Sequence, residues 1–212
     1  MPLLSQVLQA TGTALRRINQ DFLRRNQEHS ISNEVISVCV SGELLNIPYR
    51  VYYGKRQLLT AVDCPGEAGL IALCLGTRHH DGFIREQCVR RLLAIDDYWT
   101  APFIVQLLGE YVIEVVQPIH ERFIERVDTK YIDFFVHNAK YCQYLECRAI
   151  SYWNEYYRWR FPKHKDYPAL KALAALAGAA KRVEKQAVDA CERALAATNP
   201  LRVSLAEDID LL

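Results

Sequence analysis

Glu110 and Glu114 stand four residues apart, with Gln106 before them and Gln117 and Glu121 beyond. On a helix these residues would form one polar stripe in an otherwise apolar segment. Two carboxylates on one face can hold a divalent cation, or share a proton when an imidazole approaches from another element. His79-His80-Asp81, at a turn, is the local source of such an imidazole. The chemistry this set would support is that of a metal-dependent enzyme using Glu110 and Glu114 with His79 and His80. Its spacing matches neither the helical Glu-x-x-His of di-iron bundles nor the His-Glu-x-x-His of zinc proteases. A solvated helix face beside a polar turn accounts for the same residues, so no metal and no cofactor is expected.

A second set joins rings to cations. Tyr152-Trp153-Asn154-Glu155-Tyr156-Tyr157-Arg158-Trp159-Arg160-Phe161-Pro162-Lys163-His164-Lys165 interleaves aromatics with four Arg or Lys side chains. Rings can stack on unpaired bases while cations neutralise phosphates, which is the composition of a single-stranded nucleic-acid surface. Tyr, Trp and Arg are also the residues that dominate protein interfaces. On a helix, Cys142, Leu145, Ala149, Tyr152, Trp153, Tyr156 and Trp159 follow three-and-four spacing. That spacing assigns the stripe first to packing, with the stems of Arg148, Arg158 and Arg160 lying along its edge. A protein-binding hot spot comes second and nucleic acid last.

Nucleophilic chemistry has little support. The chain has no Gly-x-Ser-x-Gly elbow, and Cys64-Pro65-Gly66-Glu67-Ala68-Gly69 lacks the Gly-Lys-Ser/Thr ending of a phosphate-cradling loop, so it reads as a turn into a helix. The cysteines (Cys39, Cys64, Cys74, Cys88, Cys142, Cys147 and Cys191) include no Cys-x-x-Cys pair and lie mostly in apolar periodic stretches, the pattern of reduced, buried thiols. Cys142 and Cys147, five apart, do not share a helix face, which argues against a zinc site. His120 and His137 read as partly buried helix positions.

The elements that must position these groups are mainly helical. Leu4, Leu8, Thr11, Leu15, Ile18 and Phe22 make a heptad seam over residues 1–28, with Arg16 and Arg17 mainly outside it. The seam needs a cover, either the chain's own body or a second copy or partner, and the second choice would make a homodimer through this helix. Residues 34–54 turn to branched and aromatic residues around Ser41-Gly42-Glu43, which predicts a β-hairpin; Pro48 makes its second strand an edge or interrupts it. Helices are predicted over 66–77, 82–95, 101–123, 129–139, 140–160 and 167–197. Asp81, Thr100 and Asp128 or Thr129 stand as caps, Pro118 as a kink or end to the third, and Gly178 as a break in the last. In 169–197 basic and acidic residues alternate as a mixed, solvated face. Residues 199–212 read as a C-terminal tail, so that 1–198 form a single helical domain.

Within that array, Asp81, Ile84, Arg85, Cys88, Leu92 and Leu93 resemble the Asp-x-x-Val-Arg-x-x-Ala-x-x-x-Leu pattern of HEAT-type repeats, with cysteine in place of alanine. The resemblance is carried by residues 81–93 and reaches at most over 66–140. It implies antiparallel helix pairs, an Asp and an Arg near the inter-helix turn that hold neighbouring repeats together, and a surface offered to proteins or nucleic acid. The N-terminal hairpin is a departure from that family.

With 26 Lys+Arg against 25 Asp+Glu, the formal net charge is +1, and no global field favours nucleic acid or an anionic membrane surface. No stretch has the length and apolarity of a membrane span or secretory leader, so the expected location is the cytoplasm. The resulting expectation is a mainly α protein, an antiparallel helical array with HEAT-like character plus an N-terminal helix and a small β-hairpin. Its expected role is non-enzymatic: an adaptor, inhibitor or assembly partner that binds another protein through Trp153, Tyr156, Arg158, Trp159 and Arg160, with Arg16 and Arg17 as secondary contacts.

Overall fold

Alternating residues build the hairpin first. In a computed structural model that describes residues 34–198, β1 (Val35–Val40) and β2 (Glu43–Pro48) pair antiparallel, from Val35 opposite Pro48 to Val40 opposite Glu43. Ser41 and Gly42 both take positive φ (51° and 82°), the requirement of a two-residue turn whose twist matches its strands. Val38, Val40, Leu45 and Ile47 face the core, whereas Val35 and Leu44 face outward. Pro48 closes the register, where it has no ladder bond to donate. The expected helix over 1–28, with Arg16 and Arg17, and the tail 199–212 lie outside the described residues.

Past the hairpin, Val51 pairs in parallel with His79: its N–H donates to the Arg78 carbonyl at 3.0 Å, and the His80 N–H returns to the Val51 carbonyl at 3.0 Å. This short bridge brings the double histidine beside the strand exit. Eight α-helices are found among the described residues, so the protein is mainly α with a small hairpin. They are α1 (Lys55–Val62), α2 (Glu67–Gly76), α3 (Gly82–Leu92), α4 (Ala101–Val105), α5 (Ile113–Glu125), α6 (Thr129–His137), α7 (Ala139–Tyr152) and α8 (Pro168–Thr198). Helix α8 packs against α5 and α6, α2 against α1 and α3, and one core joins the hairpin to most of the helices. No helix among the described residues is long and apolar enough to cross a membrane.

Four local expectations are corrected. The helix expected over 101–123 is two helices: α4 runs into a 3-10 turn at Gln106–Gly109, Glu110 is extended (φ −96°, ψ 155°), and α5 starts at Ile113. Glu110 and Glu114 therefore do not share a helix face, and Glu110 is buried while Glu114 is exposed. Pro118 sits inside α5, which continues to Glu125. Helix α8 runs unbroken through Gly178, where alanines on both sides offset the glycine's lower propensity. Helix α1 has no counterpart among the expected elements; it is short, its Gly54 cap makes no side-chain bond, and its first turn has no acid.

The caps divide similarly. Asp81 accepts the Phe83 N–H at 2.9 Å and caps α3. Thr100 instead donates its hydroxyl to the Asp97 carbonyl at 2.6 Å, and Asp128 turns its carboxylate to Arg122 and Arg126, both at 2.7 Å. Only Cys74, Cys88 and Cys142 of the cysteines are buried; Cys64, Cys147 and Cys191 are exposed. Burial pushes the Cys88 thiol up to about 11 and that of Cys142 to about 12, which leaves both protonated and weakly nucleophilic.

Candidate functional site

The break at Glu110 creates a site on each side of it. Inward, the Glu110 carboxylate is buried and meets three guanidiniums: Arg50 at 2.8 Å, Arg85 at 3.7 Å and Arg78 at 3.8 Å. The loop after β2 supplies Arg50, the turn after α2 supplies Arg78, and the first turns of α3 supply Arg85. Arg85 also donates to the carbonyls of His79 (2.7 Å) and His80 (2.8 Å), and thereby fastens the double-histidine turn to α3. Burial, only partly offset by Glu110, lowers Arg78 to about 10 and lowers Arg85 as well. Both remain cations at neutral pH.

Tyr49 occupies the middle of this cluster. Its carbonyl accepts from Arg78 at 2.6 Å and from Arg50 at 3.0 Å, and its hydroxyl accepts from Arg148 of α7 at 2.8 Å. The guanidiniums of Arg50, Arg148 and Arg78 lie 4.6, 5.5 and 5.7 Å from its ring centre, a set of cation–π contacts. Arg148 also donates to the Gly109 carbonyl and to the hydroxyls of Tyr144 and Tyr152. A cavity of about 30 Å³ opens between the hairpin and α7, bordered by Tyr49, Arg78, Gln106, Glu110, Tyr144 and Arg148.

Outward from the same break, Tyr111 is exposed and joins the aromatic stripe. The stripe starts in the core, with Cys142, Leu145 and Ala149 buried. At Trp153–Tyr157 the helix winds into one π turn, which carries more residues per turn than an α-helix and so moves the later positions around the axis. None of these five residues is buried, and Trp159 beyond them is 79% exposed. Packing therefore accounts for the first half of the stripe, and the second half lies at the surface.

The surface rings are held in place. Tyr111 lies 5.8 Å from Tyr152 and 6.0 Å from Tyr156, ring centre to ring centre, while the Tyr157 hydroxyl donates to the Tyr111 carbonyl at 2.6 Å. Trp153 donates its indole N–H to the Phe161 carbonyl at 2.7 Å, and Trp159 donates its own to the Tyr156 carbonyl at 2.9 Å. Arg158 lies over the Trp153 ring and bonds Asn154, and Arg160 lies over Phe161. Trp153 and Tyr156 thus lie on the π turn, with Arg158, Trp159 and Arg160 in the turn residues just after it, and Tyr111 and Tyr152 pack against Tyr156.

The candidate metal set is directed elsewhere. His79 is buried, with Nε2 bonded to the Tyr53 carbonyl at 2.8 Å and Nδ1 accepting the Asp81 N–H at 3.1 Å. His80 stacks on Tyr52. Glu110 is committed to arginines, and no group of three or more His, Cys, Asp or Glu among the described residues could hold a metal ion. Sequence reasoning missed Tyr49, Arg50, Arg78 and Tyr111. Gly109 was the available signal for the break that exposes Tyr111, since glycine is favoured just past a helix end; the convergence of distant arginines on Glu110 leaves no local pattern.

No protein family, curated protein or solved structure matches this chain.

Proposed function

We propose that this protein is a non-enzymatic interaction module, an adaptor, inhibitor or assembly partner, that docks another protein on residues 153–160, the π turn after α7 and the residues that follow it. The observation that carries the reading is Trp159: a large ring, 79% exposed, pinned to its own turn by a bond to Tyr156 rather than free to fold back. A fixed aromatic loses little side-chain freedom on binding. Burying such a ring removes on the order of 200 Å² from water, about 5 kcal/mol before the costs of association at 25 cal/mol/Å². Around it, Arg158, Arg160, Lys163 and Lys165 are exposed and outnumber the nearby acids Glu155 and Asp166 along the segment. The partner this suits presents carboxylates beside an apolar recess. The HEAT-like reading of 81–93 enters the proposal as scaffold, with Asp81 and Arg85 securing the turn between α2 and α3.

The test is capture from host lysate, after nuclease treatment, with three baits: the native chain, Trp159→Ala, and Arg158→Glu/Arg160→Glu. A protein retained by the native bait and lost with either variant supports the proposal, and its purified form should bind Trp159→Ala at least about 30-fold more weakly, the equivalent of 2 kcal/mol at a hot spot. Equal retention by all three baits would remove this surface from the interface. Recovery that disappears with nuclease, together with affinity falling steeply in salt, would transfer the same residues to single-stranded nucleic acid.

A further inference from the structure

Among the described residues, the inner site gathers more cationic than anionic side chains. Four guanidiniums, from Arg50, Arg78, Arg85 and Arg148, converge there. Against them stand Glu110, and Glu34 at the rim of the cavity. The partners of Arg148 are one carbonyl and three tyrosine hydroxyls, none of them a carboxylate. Concentrating like charges away from water is costly unless an anion compensates.

Independently of charge, the cavity wall has hydrogen-bonding groups to spare. Arg78 is fully buried, and its Nη1, although 3.8 Å from Glu110, makes no hydrogen bond. Gln106 is 4% exposed, and neither its amide nitrogen nor its amide oxygen has a partner. Both residues border the cavity of about 30 Å³. A water needs roughly 10–15 Å³ by this kind of measure, so the space accepts about two water-sized atoms, enough for the two leading oxygens of a carboxylate or phosphate whose remaining atoms stay at the mouth.

We infer that this cavity is a binding site for a small oxyanion, a carboxylate or phosphate group, held by Arg78, Arg148 and the Gln106 amide. Arg78 offers the unbonded Nη1 of a planar donor group suited to paired oxygens, whereas Arg148, most of whose N–H groups are already bonded, contributes chiefly charge. Arg50 and Arg85, already bonded to Glu110, set the field without needing to touch the ligand. No residue of 153–160 lines this site, so neither proposal depends on the other.

The test uses the full chain and follows its thermal midpoint against inorganic phosphate and against acetate, each compared with chloride at equal ionic strength. The expected result is a saturable rise with an oxyanion and none with chloride. A response to both ions assigns the site to carboxylate or phosphate groups generally; a response to phosphate alone assigns it to phosphoryl ligands. Gln106→Leu removes no hydrogen bond of the fold, so it should fold and bind at least tenfold more weakly. Gln106→Glu places a tethered carboxylate in the cavity and should abolish the response. Identical behaviour in oxyanion and chloride, or an undiminished response in both variants, would overturn the inference.

Discussion

Asn138 makes with Cys39 the two bonds that a neighbouring strand would make: its Oδ1 accepts the Cys39 N–H and its Nδ2 donates to the Cys39 carbonyl, each at 2.7 Å. Cys39 stands opposite Leu44, one step in from the two-residue turn. At that step of an antiparallel pair the backbone groups point away from the partner strand. A two-stranded sheet has no third strand to receive them, and an open edge invites pairing with other chains. The residue between α6 and α7 closes it, while also donating to the Phe134 carbonyl at 2.9 Å.

Asn138→Leu should therefore cost about 2–4 kcal/mol, because it strands two part-buried backbone groups as well as removing bonds. Asn138→Asp keeps the acceptor but sets a carboxylate against the Cys39 carbonyl, and should not restore stability. Urea unfolding measures both, with the midpoint falling and the slope unchanged. A loss under about 0.5 kcal/mol, the range of neutral surface changes, would mean that solvent replaces the amide without penalty.

Glu110→Gln isolates the charge of the buried cluster while keeping its shape. Arg78 and Arg85 are fully or nearly fully buried and share this carboxylate with Arg50. Removing one member of a buried ion pair typically costs about 3–5 kcal/mol, because the remaining charge is left uncompensated. Denaturant unfolding of the variant should show a loss in that range. A loss near that of an exposed pair, under about 1 kcal/mol, would show that the guanidiniums are effectively solvated.

What could be read along the chain was whatever is local. The hairpin followed from alternation around Ser41-Gly42, α3 from its Asp81 cap, and the start of the aromatic stripe from three-and-four spacing on α7. The break between α4 and α5 was not legible, because Glu110 leaves the helix for three arginines between 25 and 60 residues away in sequence. Tertiary charge overrides helical pattern there. The π turn was hidden for a different reason: Trp153–Tyr157 continues the three-and-four spacing of α7, and only the fold shows the phase change at which Tyr156 and Trp159 reach the surface. Seen as pattern, the stripe looked like core to its end.

The contact between α2 and α3 depends on Gly76. A Cβ at this position would lie 2.3 Å from the Cys88 sulfur and 3.2 Å from the Cys88 Cβ, in a packed core. Gly76→Ala should destabilise by about 1–3 kcal/mol, the usual range for overpacking. Cys88→Ala removes the obstructing sulfur, so the double variant should be more stable than the sum of the two single losses predicts. Thermal or urea unfolding of the four chains measures that coupling. Strict additivity would show that the helices move apart instead of meeting at these two residues.

Acid should weaken the fold through His79 before the carboxylates titrate. Burial holds its imidazole below the ordinary value of 6.5, and its bonds explain the preference: Nε2–H faces the Tyr53 carbonyl, and Nδ1 must stay unprotonated to accept the Asp81 N–H. As pH falls through 6.5 the unfolded chain takes up a proton that the folded chain refuses. The His79 contribution is therefore level above about pH 7 and declines below 6.5 until the lowered folded pKa is reached, by at most about 1.4 kcal/mol per pH unit for each such proton. His120 acts in the same direction, lowered by burial and then by Lys171. Urea midpoints between pH 7.5 and 5.5 should fall for the native chain and fall less steeply for His79→Asn, whose side-chain oxygen can still accept from Asp81. An unchanged slope in that variant would assign the acid sensitivity to His120 or to groups outside this turn.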